Sequence, residues 1–512
     1  MAIDPRTPVI VGVGQVLHHP DKVSGPEDLV EPLDLMVDAL RRAAEDIDGV
    51  AEGAPSPLGT RLLSNIDRLT SVVSFTWRTA NPSLLVAERL GIHPGDLAVT
   101  ATGGCMPQKL VADAATAILN GDADVVGVVG SEAMFSRGAS RKSGLGDVQW
   151  TLQDPETTPP ARVFGTETMP LTPLEIERSI LLPIQIYPLF ENASRARNAW
   201  TIDEHRQKIG NLWSSFSEVA TANPSAWMRE PHSSEEIITA SPSNRMIAEP
   251  YTKMMVANLP VDMGAAFLMC SYETARSLGI RDDALVFPQS HAHANDHFFI
   301  SERPELDRSV AIKAAGDRAF ELAGASIDDV AHIDLYSCFP IAVALGAEAL
   351  GLDLEDRTRP LTLTGGLTFG GGPGNNYVGH SIATMVQRLR EHPGDLGLLT
   401  GLSYFATTHA VGLYSTTPPS TSFQSADVQS VVDAEPIQRV ARELEGTVRV
   451  ETYTVVHDRD NGPEKIIAAV RDQFETRSWA CITDEATMRD LAGTELCGLT
   501  GVLTNDGSLI LD

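Results

Sequence analysis

Cysteine is scarce in this chain. The five thiols, Cys105, Cys270, Cys338, Cys481 and Cys497, are odd in number and never spaced as C-x-x-C, which excludes a disulfide framework and a zinc ribbon and points to reduced thiols. No stretch approaches the roughly 18 continuous apolar residues that span a bilayer. Met1-Ala2-Ile3-Asp4-Pro5 lacks the basic and then apolar pattern of a leader, so a cytoplasmic protein is expected. Basic residues are also short: 39 Lys and Arg stand against 68 Asp and Glu, a net charge of −29 with no local basic patch. Such a surface repels a phosphate backbone and argues against nucleic acid. What is present, 43% hydrophobic and 21% charged residues, suits a folded globular protein. At 512 residues it is too long for one core, so two or three domains are expected.

One local pattern occurs twice. Gly103-Gly104-Cys105-Met106-Pro107 leads into KLVADAATAILNG, then Asp124 and the apolar run VVGVVG ending at Gly130. Gly371-Gly372-Pro373-Gly374 leads into YVGHSIATMVQRL, then Asp395 and LGLLTG ending at Gly401. In both copies a glycine turn opens a helix and the Asp lies six residues before the closing Gly. A looser pair sets LMVDALRRAAEDI before LTSVVSF against AIKAAGDRAFELAG before HIDLYSCF. Two related α/β halves are the economical reading. Residues 136–258 interrupt the apolar pattern with prolines and polar stretches, as an insertion that shapes a binding site. The Pro/Ser/Thr-rich residues 416–429 read as a linker. Beyond them GTVRVETYTVVHD alternates every second residue and Asn461-Gly462 signals a turn, so residues 430–512 read as a small β domain.

The duplicated halves, the segment EPYTKMMVANLPVDMGAAFLM and the motif GGLTFGGGPGNNYVGH resemble the thiolase superfamily. Within it the chain is most similar to sterol-carrier-protein-type thiolases and to actinobacterial thiolase-like proteins with an extra C-terminal domain. The resemblance covers about residues 5–415, and the tail resembles the appended, OB-like domain. It implies an α/β fold with a five-layered αβαβα core. The first half is then residues 1–135 and 259–290, the inserted loop domain 136–258, and the second half 291–415. It also implies a coenzyme A thioester as substrate or ligand, no tightly bound cofactor, a place in lipid metabolism, and acyltransfer of the acetyl-CoA acetyltransferase type. Monomer and homodimer both stay open.

Chemistry beside a thioester carbonyl needs a nucleophile, a base for the α proton and donors for the enolate-like oxygen. A cysteine at a helix N-terminus suits the first need, because the dipole and free N–H groups favour thiolate, and Cys105 has that setting. The family's spacing back from Gly121–Asp124, however, places the nucleophile on Gly104. Other motifs depart further. His-Asp-Cys-Phe appears as Tyr336-Ser337-Cys338-Phe339, the histidine of Gly-His-Pro is Gly372, and the second catalytic cysteine is Thr400. The catalytic candidates are therefore Cys105, Tyr336, Cys338 and His293, with Gly371, Gly372 and Ser337 expected to contact the thioester.

Two alternatives accompany acyltransfer. One is retro-aldol cleavage of a hydroxyacyl-CoA with Tyr336 as acid or base; the other is a non-catalytic acyl-CoA-binding or scaffold protein. His291, His293, His297 and Asp296, on an expected loop, have a spacing only weakly specific for zinc and no further Cys/His cluster beside them, so a polar pocket-lining loop is the favoured reading, with His293 or His297 as acid–base candidates. His380 lies two helical turns past Gly372 and cannot replace the lost histidine, and His409 is similar. The run Gly370–Gly372 lacks the G-K-[ST] of a phosphate loop.

Overall fold

The computed structural model describes residues 3–144 and 148–512; Met1 and Ala2, and with them the first residues of the expected leaderless start, lie outside the described residues. Strands β1 (Pro8–Leu17), β2 (Arg68–Val72), β3 (Asp96–Thr100), β4 (Val125–Ala133) and β5 (Arg162–Phe164) belong to a first sheet. The short β6 (Met246–Ala248) and β7 (Tyr251–Thr252) follow in the insertion, and β8 (Asp262–Ser271) completes that sheet in the order β1-β8-β4-β2-β3-β5. A second sheet is built from β9 (Phe287–Asn295), β10 (Val330–Asp334), β11 (Leu396–Ser403), β12 (Thr408–Ser415) and β13 (Gln424–Asp427), in the order β10-β11-β12-β9-β13.

The helices Met106–Asn120 and Tyr377–Glu391 lie between the two sheets and are buried on nearly every side. Pro32–Asp48 covers the outer face of the first sheet, and Val310–Ala323 that of the second. Five layers result, αβαβα. The doubled sequence pattern reappears as two equivalent units: each glycine turn opens one of the central helices, which then feeds β4 or β11. Capping follows the sequence. Pro32, Pro82 and Pro340 open helices that Gly49, Gly91 and Gly351 close in the left-handed conformation.

Two expectations change. The segment 416–429 is more than a linker, because its residues Gln424–Asp427 pair in parallel with β9 and cap the edge of the second sheet. The histidines His291 and His293 sit on strand β9 rather than on a loop.

The tail forms β14 (Gly446–His457), β15 (Pro463–Arg471), β16 (Arg477–Ile482), β17 (Thr500–Leu503) and β18 (Leu509–Leu511). Strand β14 pairs antiparallel with both β15 and β17, and a parallel bridge from Cys481 to Ser508 closes the circuit. Val448, Val450, Tyr453 and Val455 fill the barrel interior. A register shift between Val450 and Thr452 breaks the simple alternation, and from Thr452 onward both faces of β14 are buried. The second face is docked on the rest of the chain. Thr452 Oγ1 donates to Leu189 O (2.6 Å), Asn192 Nδ2 to Tyr453 O (2.9 Å) and Trp479 Nε1 to Ser301 Oγ (2.8 Å). Arg477, fully buried, donates to Ser301 O (2.9 Å) and to the Glu451 carboxylate (2.7 Å). The tail therefore docks in cis.

Candidate active site

The helix Met106–Asn120 starts from the turn at Gly103-Gly104-Cys105, with Pro107 in its first turn where no N–H is missed. Both halves of the molecule hold that turn. Asn375, just past the glycine loop of the second half, accepts from Gly103 N (2.9 Å) and donates to Val73 O (2.9 Å). Ser403, at the end of β11, accepts from Cys105 N (3.0 Å) and donates its hydroxyl proton to Cys105 Sγ (2.9 Å). The thiol is 0% exposed, and burial raises its pKa against the weaker opposing effects of Lys109 and the Ser403 hydrogen bond. Helix-terminal placement alone favours thiolate; here desolvation wins.

Tyr336 follows β10, its N–H donating to Thr400 Oγ1 (2.8 Å) and its ring meeting Tyr377 edge-on at 5.5 Å. Its hydroxyl lies against Gly104: a Cβ at that residue would overlap the Tyr336 oxygen and come within 2.5 Å of Leu402 O. Among the described residues the hydroxyl has no hydrogen-bond partner, and burial lifts the phenol well above its ordinary value, with Cys338, Tyr377 and Cys105 adding to the shift. The cavity against Tyr336, bounded by Thr400, Gly401, Ala342 and His409, holds about 10 Å³, space for one water at most. Cys338 lies by the Tyr187 hydroxyl, and burial pushes its thiol up to about 12. Tyr187 is itself fixed, donating to Tyr404 O (3.1 Å) and accepting from Ala406 N (3.0 Å).

Cys105, Tyr336 and Cys338 are thus brought together, and other expected groups are not. Ser337 points away from Tyr336, its Oγ accepting from Leu367 N (3.3 Å) in the turn that Asp334 organises. Gly371 takes a φ of +108° beside Met263 and Trp227. The amide of Gly372 donates to Asn258 O (3.0 Å) and is not free for a thioester oxygen. His293 lies on β9, three strands from β10, roughly 14 Å across the sheet; its Nε2 is 3.8 Å from Asp427.

The neighbouring histidines bond different partners, although the rings of His291 and His293 stay 5.4 Å apart. His291 Nδ1 meets Ser425 Oγ (3.0 Å), and His297 Nε2 meets Pro436 O (3.1 Å). Asp296 is engaged by Ser309, Ala311 N and His409. His380 bonds Gln15 (2.9 Å), and burial holds it down to about 3 and therefore neutral. His409 lines the small void but is tied to Asp296 (3.2 Å) and Ala406 O (3.0 Å). Ser403 and Tyr187 carried no recognisable sequence signal, and Asn375, though inside the quoted glycine motif, was not singled out, since each reaches the site from a separate segment.

Above the helix start the insertion closes in. Gly165 abuts Met106 and Ala101, and Glu167 accepts from Thr102 N (2.8 Å). A larger cleft of about 740 Å³ opens between residues 15–52 and 224–232, with Lys22, Arg42 and Arg229 on its walls. Trp227 N donates to Gly370 O (3.1 Å) on its inner side.

Two sheets enclosing a pair of buried helices, one starting at a glycine turn that holds the site's cysteine, define a thiolase-like fold. Residues 292–398 match the family described as thiolase C-terminal domain-like, and residues 427–508 the thiolase-like protein type 1 additional C-terminal domain. The crystal structure of a monomeric SCP2-thiolase like protein type 1 from Mycobacterium smegmatis is 31% identical, with a TM-score of 0.82 over 100% of both chains. The chain belongs to this thiolase-like protein type 1 family. An acetyl-CoA acetyltransferase of Methanocaldococcus jannaschii is 22% identical over 269 residues, 52% of this chain; the chain spans only 60% of that curated relative's length. The Ltp2-ChsH2(DUF35) aldolase is 21% identical with a TM-score of 0.55, over 80% of this chain and 98% of that one, a likeness of fold. Among the described residues no helix is long and apolar enough to cross a membrane.

Proposed function

We propose that this protein binds an acyl-CoA thioester without using Cys105 as a nucleophile: a thiolase-fold acyl-CoA-handling protein in which cysteine-based acyltransfer is not available. The observation that carries this reading is the packing around Cys105. A thiol that is fully buried, and whose pKa burial raises despite the hydroxyl proton Ser403 donates to it, is a poor nucleophile toward a thioester. The acetyltransferase activity named for the archaeal relative is therefore not carried over. The 740 Å³ cleft sets Lys22, Arg42 and Arg229 beside Asp21, Glu52 and Glu230, with Arg42 paired to Glu52, and it is its size that suits part of such a ligand. Calorimetry with acetyl-CoA and acetoacetyl-CoA, paired with a thiolysis assay, is the test. Binding without turnover is expected; thiolysis that disappears in Cys105→Ala, or no binding at all, would refute the reading.

A second reading, retro-aldol cleavage of a β-hydroxyacyl-CoA, is favoured by the Tyr336 hydroxyl, which has no internal partner and faces the helix start, and by the aldolase likeness. It predicts cleavage that survives Cys105→Ala and fails in Tyr336→Phe.

The tail's pairing order, with β14 between β15 and β17 and the β16 bridge closing the barrel, supports an OB-like assignment. Its β14–β16 outer face, the usual oligonucleotide platform, is spent on docking in cis, which with the excess of acidic residues argues against nucleic acid. We favour a monomer in the cytoplasm; the monomer is supported by one edge of each sheet being a very short strand, β5 or β13.

A further inference from the structure

We propose that His332, His392 and Asp395 form a binding site for a divalent late transition metal, with zinc as its first occupant. The three come from separate elements. His332 is on β10, His392 is the residue that ends the helix Tyr377–Glu391, and Asp395 immediately precedes β11. One ligand atom from each lies within 4.8 Å of both others. His332 Nε2 is 3.0 Å from Asp395 Oδ2, and the two imidazole rings are 5.2 Å apart. Tetrahedral zinc with bonds of about 2.0–2.1 Å sets its ligands roughly 3.3 Å from one another. Closing the site therefore asks only for a small rotation of the exposed His392 ring.

The frame is fixed in advance. Pro393 and Gly394 make a tight turn in which Asp395 N donates to His392 O (3.2 Å), so the two side chains return to the same side. That turn is fastened to the end of β12: Gly394 N donates to Thr416 Oγ1 (2.8 Å), and Ser415 Oγ donates to Asp395 O (2.8 Å). Two imidazoles and one carboxylate select zinc-like ions over magnesium or calcium, which prefer all-oxygen shells. Solvent at His392 leaves room for a water to complete the coordination. Arg388, whose charge acts on His332, is paired with Glu391 (3.4 Å).

The position assigns the role. His332 stands opposite Gly397 in the parallel β10–β11 pair, near the N-terminal ends of both strands. The same chain segments run on to Tyr336, four residues past His332, and Thr400, three past Gly397, roughly 10–13 Å further. A metal there would clamp β10, β11 and the end of a central helix behind the site without touching it. The inference is independent of any activity at Tyr336.

Titration of the metal-free chain with Zn²⁺ by calorimetry, and with Co²⁺ as a visible-absorption probe, tests it. One ion per chain and a rise in Tm are expected. In His392→Ala and Asp395→Asn, affinity should fall by at least the roughly 10–100-fold that loss of an outer partner alone costs, while His93→Ala, an exposed histidine elsewhere, binds as the parent does. His392 and Asp395 are exposed or half-buried, so both variants should fold. Absence of saturable one-to-one uptake by the parent chain, or uptake that persists in both variants, would overturn the proposal.

Discussion

The Tyr336 hydroxyl occupies the space that a side chain on Gly104 would need. Residue 104 is where the family's spacing puts the nucleophile, and 336 is where its motif puts a histidine. The phenol and any side chain at 104 would compete for one volume. Each position now constrains the other.

Gly104→Ala should therefore cost about 1–3 kcal/mol or more, the price of overpacking a fixed interior. Tyr336→Phe, which removes a hydroxyl without a partner, should change stability by less than about 1 kcal/mol. The double variant stays destabilised, because Leu402 O still blocks the added methyl at 2.5 Å. Urea denaturation of the three variants checks this, and a fully stable Gly104→Ala would contradict the packing.

Thiol reactivity follows from burial. Cys105, Cys270 and Cys338 are buried, whereas Cys481 and Cys497 are partly exposed. Burial raises the pKa of Cys105, so the unreactive protonated form persists through neutral pH and alkylation should accelerate only above the ordinary thiol value of 9.0. A disulfide-exchange reagent at pH 7.5 should count at most two thiols in the native chain and five after unfolding. Three or more fast native thiols would show an accessible site.

Docking of the tail rests on Arg477. Replacing it with Ala should cost about 3 kcal/mol, the low end for a broken buried pair, since Arg471 still reaches Glu451 at 2.6 Å. Burial works to raise the Glu451 pKa, and the guanidiniums of Arg477 and Arg471 outweigh it and hold the carboxyl below 4.5. A depressed folded pKa gives stability that is present above the unfolded value and lost as pH falls through the folded one. Acid unfolding below about pH 4.5 should therefore be shallower in Glu451→Gln.

Sheet edges offer a fourth check. β5 pairs in parallel with β3, and Arg162 holds Asp96 by two bonds of 3.1 and 2.8 Å. Deleting residues 161–165 bares the β3 edge, and self-association measured by light scattering should increase. An unchanged molar mass would mean that β5 does not guard the edge.

The layering was legible because period and punctuation repeat. Glycine turn, buried helix and apolar strand occur twice, and the structure uses both copies alike. Cys105, Tyr336 and Cys338 were legible as candidates because each stands where a strand or turn runs into a helix. Ser337 was not, since alternation turns it away from Tyr336. His293 looked close in motif terms yet lies three strands off, because pairing order is a property of the sheet. Histidines crowded in sequence, at 291, 293 and 297, disperse to three partners, while His332, His392 and Asp395 converge from separate segments.

By itself, the sequence determined the doubled α/β architecture and the strand-rich tail, since both follow from local periodicity and residue identity. Tertiary structure alone decided that Cys105 is desolvated and bound by Ser403, that Gly104 yields its space to Tyr336, and that the barrel's outer face is consumed by docking. Those outcomes depend on distances between residues up to about 300 positions apart, and no local pattern encodes which of them share a volume.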